Sequence, residues 1–101
     1  EATQNMLYCQ VQYIDNYGNL ITNLTQQQFL QAAAGRPFRI TVGVEAITRL
    51  STSCADVPKG EVLCRFNSRG YLQVCVNKGN AASLLGFRIG GIYNHVKIQF
   101  G

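Results

Sequence analysis

The segment 61–76, which reads EVLCRFNSRGYLQVCV, decides the fold class of this chain. Two runs of strand-forming residues, 61–66 and 71–76, flank a polar tetrapeptide at 67–70. This tetrapeptide ends in Gly70, which can take the left-handed backbone conformation that a tight turn requires. The segment therefore predicts a β-hairpin.

Similar apolar alternation predicts strands at 6–14, 20–23, 38–44 and 93–100, with another near Ile47. Thr25 and Gln28 have the spacing of a capping box, which predicts a short helix that runs through Ala34 and stops at Gly35. Residues 80–85 can form one or two helical turns. Six or seven short strands with one helix and a helical turn predict a mostly β protein, either a small antiparallel barrel or a sandwich.

Composition indicates one folded domain over residues 1–101. Apolar residues make up 47% of the chain and charged residues 14%, which is unlike a disordered segment. The net charge of +4 suits an anionic ligand, but no run of Lys or Arg points to nucleic acid. No apolar stretch is long enough to span a membrane and no leader is visible, so we expect a cytoplasmic protein with no membrane contact.

The chain offers little catalytic or metal-binding chemistry. Its four cysteines form no C-x-x-C pair, and the single histidine cannot complete a zinc set, so we expect no metal site. Buried free thiols are favoured, although a disulfide between Cys64 and Cys75 across the hairpin is conceivable. His95 is expected at the surface of the last strand, and the five carboxylates form no pair in sequence. We therefore expect no catalytic residue in this chain.

Three polar loops have the residue types of binding elements, and each also has a structural interpretation. In the loop 15–19, Asp15 can take an ammonium group, and an Asn amide can pair with an adenine edge; an Asx-type turn is the alternative. In the loop 67–70, Ser68 and Arg69 suit a carboxylate, unless the loop is only an exposed hairpin tip. The segment 77–82 can approach a flat ring, or it can simply connect a strand to a helix with Asn80 as the N-cap.

These three loops, in this order, resemble signatures of a known family. IDNYGNLITN at 14–23 is similar to ID-x-(F/Y)-GN-x-x-TN, NSRGYL at 67–72 to NS-x-GYL, and VNKGNAA at 76–82 to VN-x-GNAA. The family comprises the S-adenosylmethionine (SAM) hydroxide adenosyltransferases and the related fluorinase and chlorinase. The resemblance is to the C-terminal domain of these enzymes and covers most of the chain.

The resemblance implies a small, mostly antiparallel Greek-key barrel and a part in the cleavage of SAM. Hydroxide or halide displaces methionine from the 5′ carbon, and hydroxide gives adenosine and methionine. SAM is the substrate, and no cofactor is implied. The catalytic groups lie in an N-terminal domain that this chain does not contain. Family members form homotrimers, in which the ligand lies between that domain of one subunit and the C-terminal domain of its neighbour.

The resemblance also implies roles for individual residues. By this resemblance, Asn19 would contact the adenine through its side chain, and Val76 and Ala81 would contact it through the backbone of their segments. Methionine contacts are carried over to Asp15 for the ammonium group, and to Ser68 and Arg69 for the carboxylate. One position departs from the family: Cys54 stands where an aromatic residue usually helps to wall the adenine.

Three other functions remain open at this point. The halide-using enzyme has an arginine at the position of Arg69, so a halide-using homologue is one alternative to the hydroxide enzyme. A barrel that binds single-stranded nucleic acid is another, with tyrosines as stacking platforms: Tyr8, Tyr13, Tyr17 and Tyr71. A purely structural oligomerisation domain is the third.

Overall fold

A computed structural model describes residues 5–87 and 95–101, and in these residues seven strands form one antiparallel sheet that curls into a nearly closed barrel. The strands are β1 (Met6–Ile14), β2 (Leu20–Thr25), β3 (Phe38–Val42), β4 (Glu45–Ile47), β5 (Val62–Phe66), β6 (Tyr71–Val76) and β7 (His95–Phe100). Two short helices, α1 (Gln26–Ala33) and α2 (Ala81–Leu85), and a 3₁₀ turn (Cys54–Asp56) complete the fold. The expected mostly β barrel is confirmed.

The order of the strands across the sheet is β4-β3-β7-β1-β2-β6-β5. Strand β7 lies between β1 and β3, so the last strand joins elements that are far apart in sequence. A parallel bridge between Leu50 and Cys64 brings the segment after β4 against β5. The two edge strands of the sheet are thereby drawn together, which nearly closes the barrel.

Local signals set most of the element bounds. The capping box is present, because the Thr25 hydroxyl accepts a hydrogen bond from the Gln28 amide and the Gln28 side chain accepts one from the Thr25 amide. Gly70 has φ +86°, as the hairpin requires. Helix α1 ends one residue earlier than expected, with Ala34 in the left-handed region at φ 50°.

The strands predicted at 38–44 and 93–100 match the structure over only part of their length. The prediction of a strand through residue 44 is wrong at its end: β3 stops at Val42, because Gly43 (φ +59°) begins a two-residue turn that pairs Val42 with Glu45. The last predicted strand is confirmed from His95 onward. Its first two residues, 93 and 94, lie outside the described residues.

The core fills the inside of the barrel. Side chains alternate between the two faces of each strand, so every second residue points inward. Leu72, Val74 and Val76 of β6 point into this core, together with Cys64 of β5. The opposite face of the same hairpin is also buried, although it lies outside the core: Leu63, Gln73 and Cys75 are 1%, 7% and 0% exposed. Another part of the chain must therefore cover the outer face of β5 and β6.

Candidate ligand-binding site

The loop 15–19, which joins β1 to β2, is organised by the carboxylate of Asp15. Its Oδ1 atom accepts hydrogen bonds from the backbone amides of Tyr17 and Asn19, both at 2.9 Å. Its Oδ2 atom accepts one from the Asn19 side-chain amide at 3.0 Å. The structure thus contains the Asx-type turn, and it also links two of the residues that the sequence assigns to ligand binding.

The contact with Asp15 fixes the orientation of the Asn19 amide group. A carboxylate only accepts hydrogen bonds, so the amide nitrogen of Asn19 must face Asp15 and the amide oxygen must face away. Among the described residues, no group donates a hydrogen bond to this oxygen, and the second hydrogen on the nitrogen has no acceptor either. Asn19 is half-buried, and its amide keeps one N–H and its oxygen without a hydrogen-bond partner among the described residues. This pair matches the donor and acceptor on an adenine edge.

The loop 15–19 docks on the start of α2 through Gly18. The Gly18 carbonyl accepts a hydrogen bond from the Ala82 amide at 2.9 Å. Gly18 has φ +81°, and a Cβ added there would lie 2.1 Å from Cγ of Asn80. The Asn80 side chain in turn caps α2 by accepting a hydrogen bond from the Ser83 amide at 2.9 Å. Two of the three sequence signatures are therefore packed against each other.

Val76 and Ala81 lie at the same end of the barrel, with their side chains buried at 5% and 0% exposure. The Val76 carbonyl accepts a hydrogen bond from the Gly79 amide at 3.2 Å. The side chain of Asn77 donates to the Val57 carbonyl at 2.7 Å, which ties this segment to the chain that precedes β5. Because both side chains are buried, contacts from this segment to a ligand would come from its backbone.

Ser68 and Arg69 lie apart from these residues, at the exposed tip of the β5–β6 hairpin. Asn67 shapes the tip by accepting hydrogen bonds from the backbone amides of Arg69 and Tyr71 at 3.0 and 3.1 Å. The tip precedes Tyr71, whereas the loop 15–19 lies beside the Val76 end of β6, because Leu20 pairs with Val74. Strand β6 thus separates the two groups by about 17 Å, at roughly 3.3 Å per residue.

Cys54 lies in the 3₁₀ turn and is half-buried. Its side chain lies close enough to Cys75 on β6 to add to the rise in the pKa of the Cys75 thiol, which comes mainly from burial. The turn is held by Asp56, whose carboxylate accepts hydrogen bonds from the backbone amides of Thr52 and Ser53 at 2.9 and 3.2 Å. These backbone hydrogen bonds lower the pKa of Asp56, the one from Thr52 most strongly. The contact between Cys54 and Cys75 joins residues 21 positions apart in sequence, and no local pattern predicts it.

His95 is exposed, as expected, and its ring meets that of Tyr8 edge-on at 5.9 Å between centroids. In residues 5–87 and 95–101 no group of three His, Cys, Asp or Glu side chains is placed to hold a metal ion. No helix in those residues is long and apolar enough to cross a membrane.

Sequence comparison assigns the chain to a family. The family model described as SAM hydroxide adenosyltransferase C-terminal domain matches residues 9–93. The chain belongs to this family. The match includes all three signature segments, so the loop 15–19, the hairpin tip and the start of α2 are parts of one family domain.

Comparison with solved structures gives the same fold. The chain is similar to an uncharacterised conserved protein from Thermotoga maritima, with a TM-score of 0.76 and 25% identity, over 98% of this chain and 37% of that one. It also resembles a conserved hypothetical protein from Thermus thermophilus, with a TM-score of 0.67 and 24% identity, over 93% of this chain and 34% of the other. A search of curated proteins finds no match. This SAM hydroxide adenosyltransferase domain thus spans about a third of the length of these solved chains.

Proposed function

We propose that the chain is the ligand-binding domain of an enzyme that cleaves SAM with hydroxide to give adenosine and methionine. In this proposal the domain binds and orients SAM, while a separate N-terminal domain supplies the groups that act on water. The enzyme works as a homotrimer, and SAM is its substrate with no cofactor required. Binding residues accelerate such a displacement by holding the 5′ carbon in line with the attacking oxygen.

The orientation of the Asn19 amide is the observation that carries this proposal. Asp15 accepts a hydrogen bond from the amide nitrogen at 3.0 Å and leaves one donor and one acceptor of Asn19 for a ligand. A preorganised pair of this kind loses little conformational freedom when it binds an adenine edge. The backbone near Val76 and Ala81 lies at the same end of the barrel and completes the adenine side of the pocket.

The methionine part of SAM is assigned to Asp15, Ser68 and Arg69. The Asp15 Oδ2 atom has a second lone pair that can accept a hydrogen bond from an ammonium group. The exposed guanidinium of Arg69 can hold a carboxylate through two parallel hydrogen bonds. The ammonium and carboxylate groups are bonded to the same carbon of methionine, so both contacts to one SAM require a separation much shorter than the roughly 17 Å along β6 between the loop 15–19 and the hairpin tip.

Calorimetric titration of the chain with adenosine and with SAM tests the adenine contact. We expect Asn19→Ala to weaken both ligands by about tenfold or more, because one hydrogen bond in a partly buried site contributes roughly 1.5 kcal/mol. Asn23→Ala is the matched control: Asn23 lies on β2, and its side chain accepts a hydrogen bond from the Gln10 amide instead. Equal weakening by the two variants would refute the adenine assignment.

Two further variants separate the roles at the methionine side. Arg69→Ala should weaken SAM while leaving adenosine unchanged, since adenosine has no carboxylate. Asp15→Ala should weaken both ligands, because Asp15 orients Asn19 as well as facing the ammonium group. Loss of SAM binding alone in Asp15→Ala would show that Asn19 does not depend on the hydrogen bond to Asp15. In the full-length enzyme, the rate at which adenosine is released from SAM should be lower in the same variants; chromatography measures this rate.

A further inference from the structure

The outer face of the β5–β6 hairpin is covered by the segment 50–57, which is pinned at both ends. At its start, the Ser51 amide donates to the Cys64 carbonyl at 2.9 Å, and Nε of Arg65 donates to the Thr52 carbonyl at 3.1 Å. At its end, the Asn77 side chain holds the Val57 carbonyl at 2.7 Å. The segment therefore crosses from β5 to the end of β6, and its middle lies over the outer face of the hairpin.

Cys54 lies at the middle of this segment, and Cys75 lies beneath it. Cys75 pairs with Leu63 in the sheet, so its side chain points to the outer face, where it is fully buried. The Gln73 side chain donates to the Cys75 sulfur at 3.0 Å and holds that side chain in place. The side chain of Cys54, in the middle of the covering segment, lies near that of Cys75 and contributes, after burial, to the raised pKa of the Cys75 thiol. The fold thus brings together two thiols from separate elements, and one of them is partly open to solvent.

The other two cysteines, Cys64 and Cys9, are not placed to form a disulfide with Cys54 or Cys75. Cys64 pairs with Val74 and points into the core, on the opposite face of the hairpin from Cys75. Cys9 of β1 is also buried in the core. A disulfide between Cys64 and Cys75 would require one side chain to pass through the sheet. The two cysteines therefore cannot form a disulfide, although they lie on adjacent strands.

We propose that Cys54 and Cys75 form a dithiol that a small-molecule disulfide, such as oxidised glutathione, converts to an intramolecular disulfide. The Cys54 thiolate attacks one sulfur of the oxidant, which forms a mixed disulfide and releases one thiolate. Cys75 then gives up its proton to solvent and attacks the Cys54 sulfur, which closes the protein disulfide and releases the second thiolate. Two protein thiols are oxidised and one small disulfide is reduced to two thiols. This chemistry needs no bound ligand.

Burial sets the order and the pH dependence of these steps. Burial raises the pKa of Cys75 to about 12, so Cys75 is a thiol near neutral pH and is inaccessible to the oxidant. The half-buried Cys54 therefore reacts first, and closure by Cys75 is the slower step. The rate of closure should rise about tenfold per pH unit below the pKa of Cys75, since only the thiolate attacks.

Peptide mapping tests the proposal, because trypsin separates the three cysteines concerned. Cleavage after Arg49, Lys59, Arg65, Arg69 and Lys78 gives peptides 50–59, 60–65 and 70–78, each with one cysteine. The folded chain is incubated with oxidised glutathione, the remaining thiols are blocked, and the digest is analysed by mass spectrometry. We expect peptides 50–59 and 70–78 joined by a disulfide in a monomeric chain, with two of the four thiols lost.

Variants identify each thiol. Cys54→Ser should prevent both the glutathione adduct and the cross-link, whereas Cys75→Ser should leave glutathione attached to Cys54. Cys64→Ser is the matched control and should keep the cross-link; circular dichroism checks the fold of each variant. A cross-link between 60–65 and 70–78 would overturn the proposal. So would a persistent glutathione adduct in the unaltered chain, or four unreacted thiols under conditions that oxidise the unfolded chain.

Discussion

Replacing Gly18 with Ala tests how the loop 15–19 is docked on α2. The new Cβ would lie 2.1 to 2.3 Å from three atoms of the Asn80 side chain, a distance that no relaxed contact allows. Asn80 must then move, and it loses its hydrogen bond to the Ser83 amide. The backbone at Gly18 also has φ +81°, which an alanine adopts only with strain.

The loss of the cap and the backbone strain together set the expected change in the free energy of unfolding. Loss of the Asn80 cap costs about 1 kcal/mol. An alanine in the left-handed region costs a further 1–2 kcal/mol, roughly. The free energy of unfolding should therefore fall by about 2–3 kcal/mol in Gly18→Ala, which lowers the folded-to-unfolded ratio by roughly 30- to 150-fold.

Urea unfolding followed by circular dichroism measures this change. Gly60→Ala is the matched control for strain, because Gly60 has φ +86° with no atom within 4 Å of an added Cβ. Asn80→Ala removes the cap alone, and in that background Gly18→Ala should cost about 1–2 kcal/mol, the strain by itself. If Gly18→Ala costs no more than Gly60→Ala, the close packing of Gly18 on Asn80 is refuted.

Three other changes have defined outcomes. Thr25→Ala removes the hydroxyl that caps α1 and should lower the free energy of unfolding by about 1 kcal/mol in urea titrations, with no change if the cap is unimportant. Asp56→Asn weakens the hydrogen bonds from Thr52 and Ser53, so the amide hydrogens of those residues should be less protected from exchange, relative to the intrinsic exchange rate at the same pH. Acid should lower this protection too, since a lowered pKa means that the stabilisation is present above about 3.8 and is lost as the pH falls through the folded-state value. Burial raises the pKa of Cys9 from 9.0 to about 11, so unfolding exposes a more acidic thiol; the free energy of unfolding should decline as the pH rises from about 9 to about 11, and Cys9→Ser should decline less.

The candidate site was only partly predictable. The three signature segments give the residue types and the family, because the signatures are continuous in sequence. Their arrangement depends on strand pairing. The contact of Gly18 with Asn80 brings the loop 15–19 to α2, whereas β6 places Ser68 and Arg69 at the far end of the hairpin. The hydrogen bond between the side chains of Asp15 and Asn19 was not predicted either, although the two residues are only four positions apart in a turn.

The sequence by itself determined the elements whose causes are local. Strand β1 has the expected bounds, the Thr25 capping box forms, and Gly70 adopts a positive φ, because in each case residues within a few positions supply the hydrogen bonds or the steric freedom. Only the tertiary structure placed β7 between β1 and β3 and laid Cys54 over Cys75. Those contacts depend on strand register and on which faces of the sheet are buried together. Such properties belong to the folded chain as a whole, and no short segment of the sequence contains them.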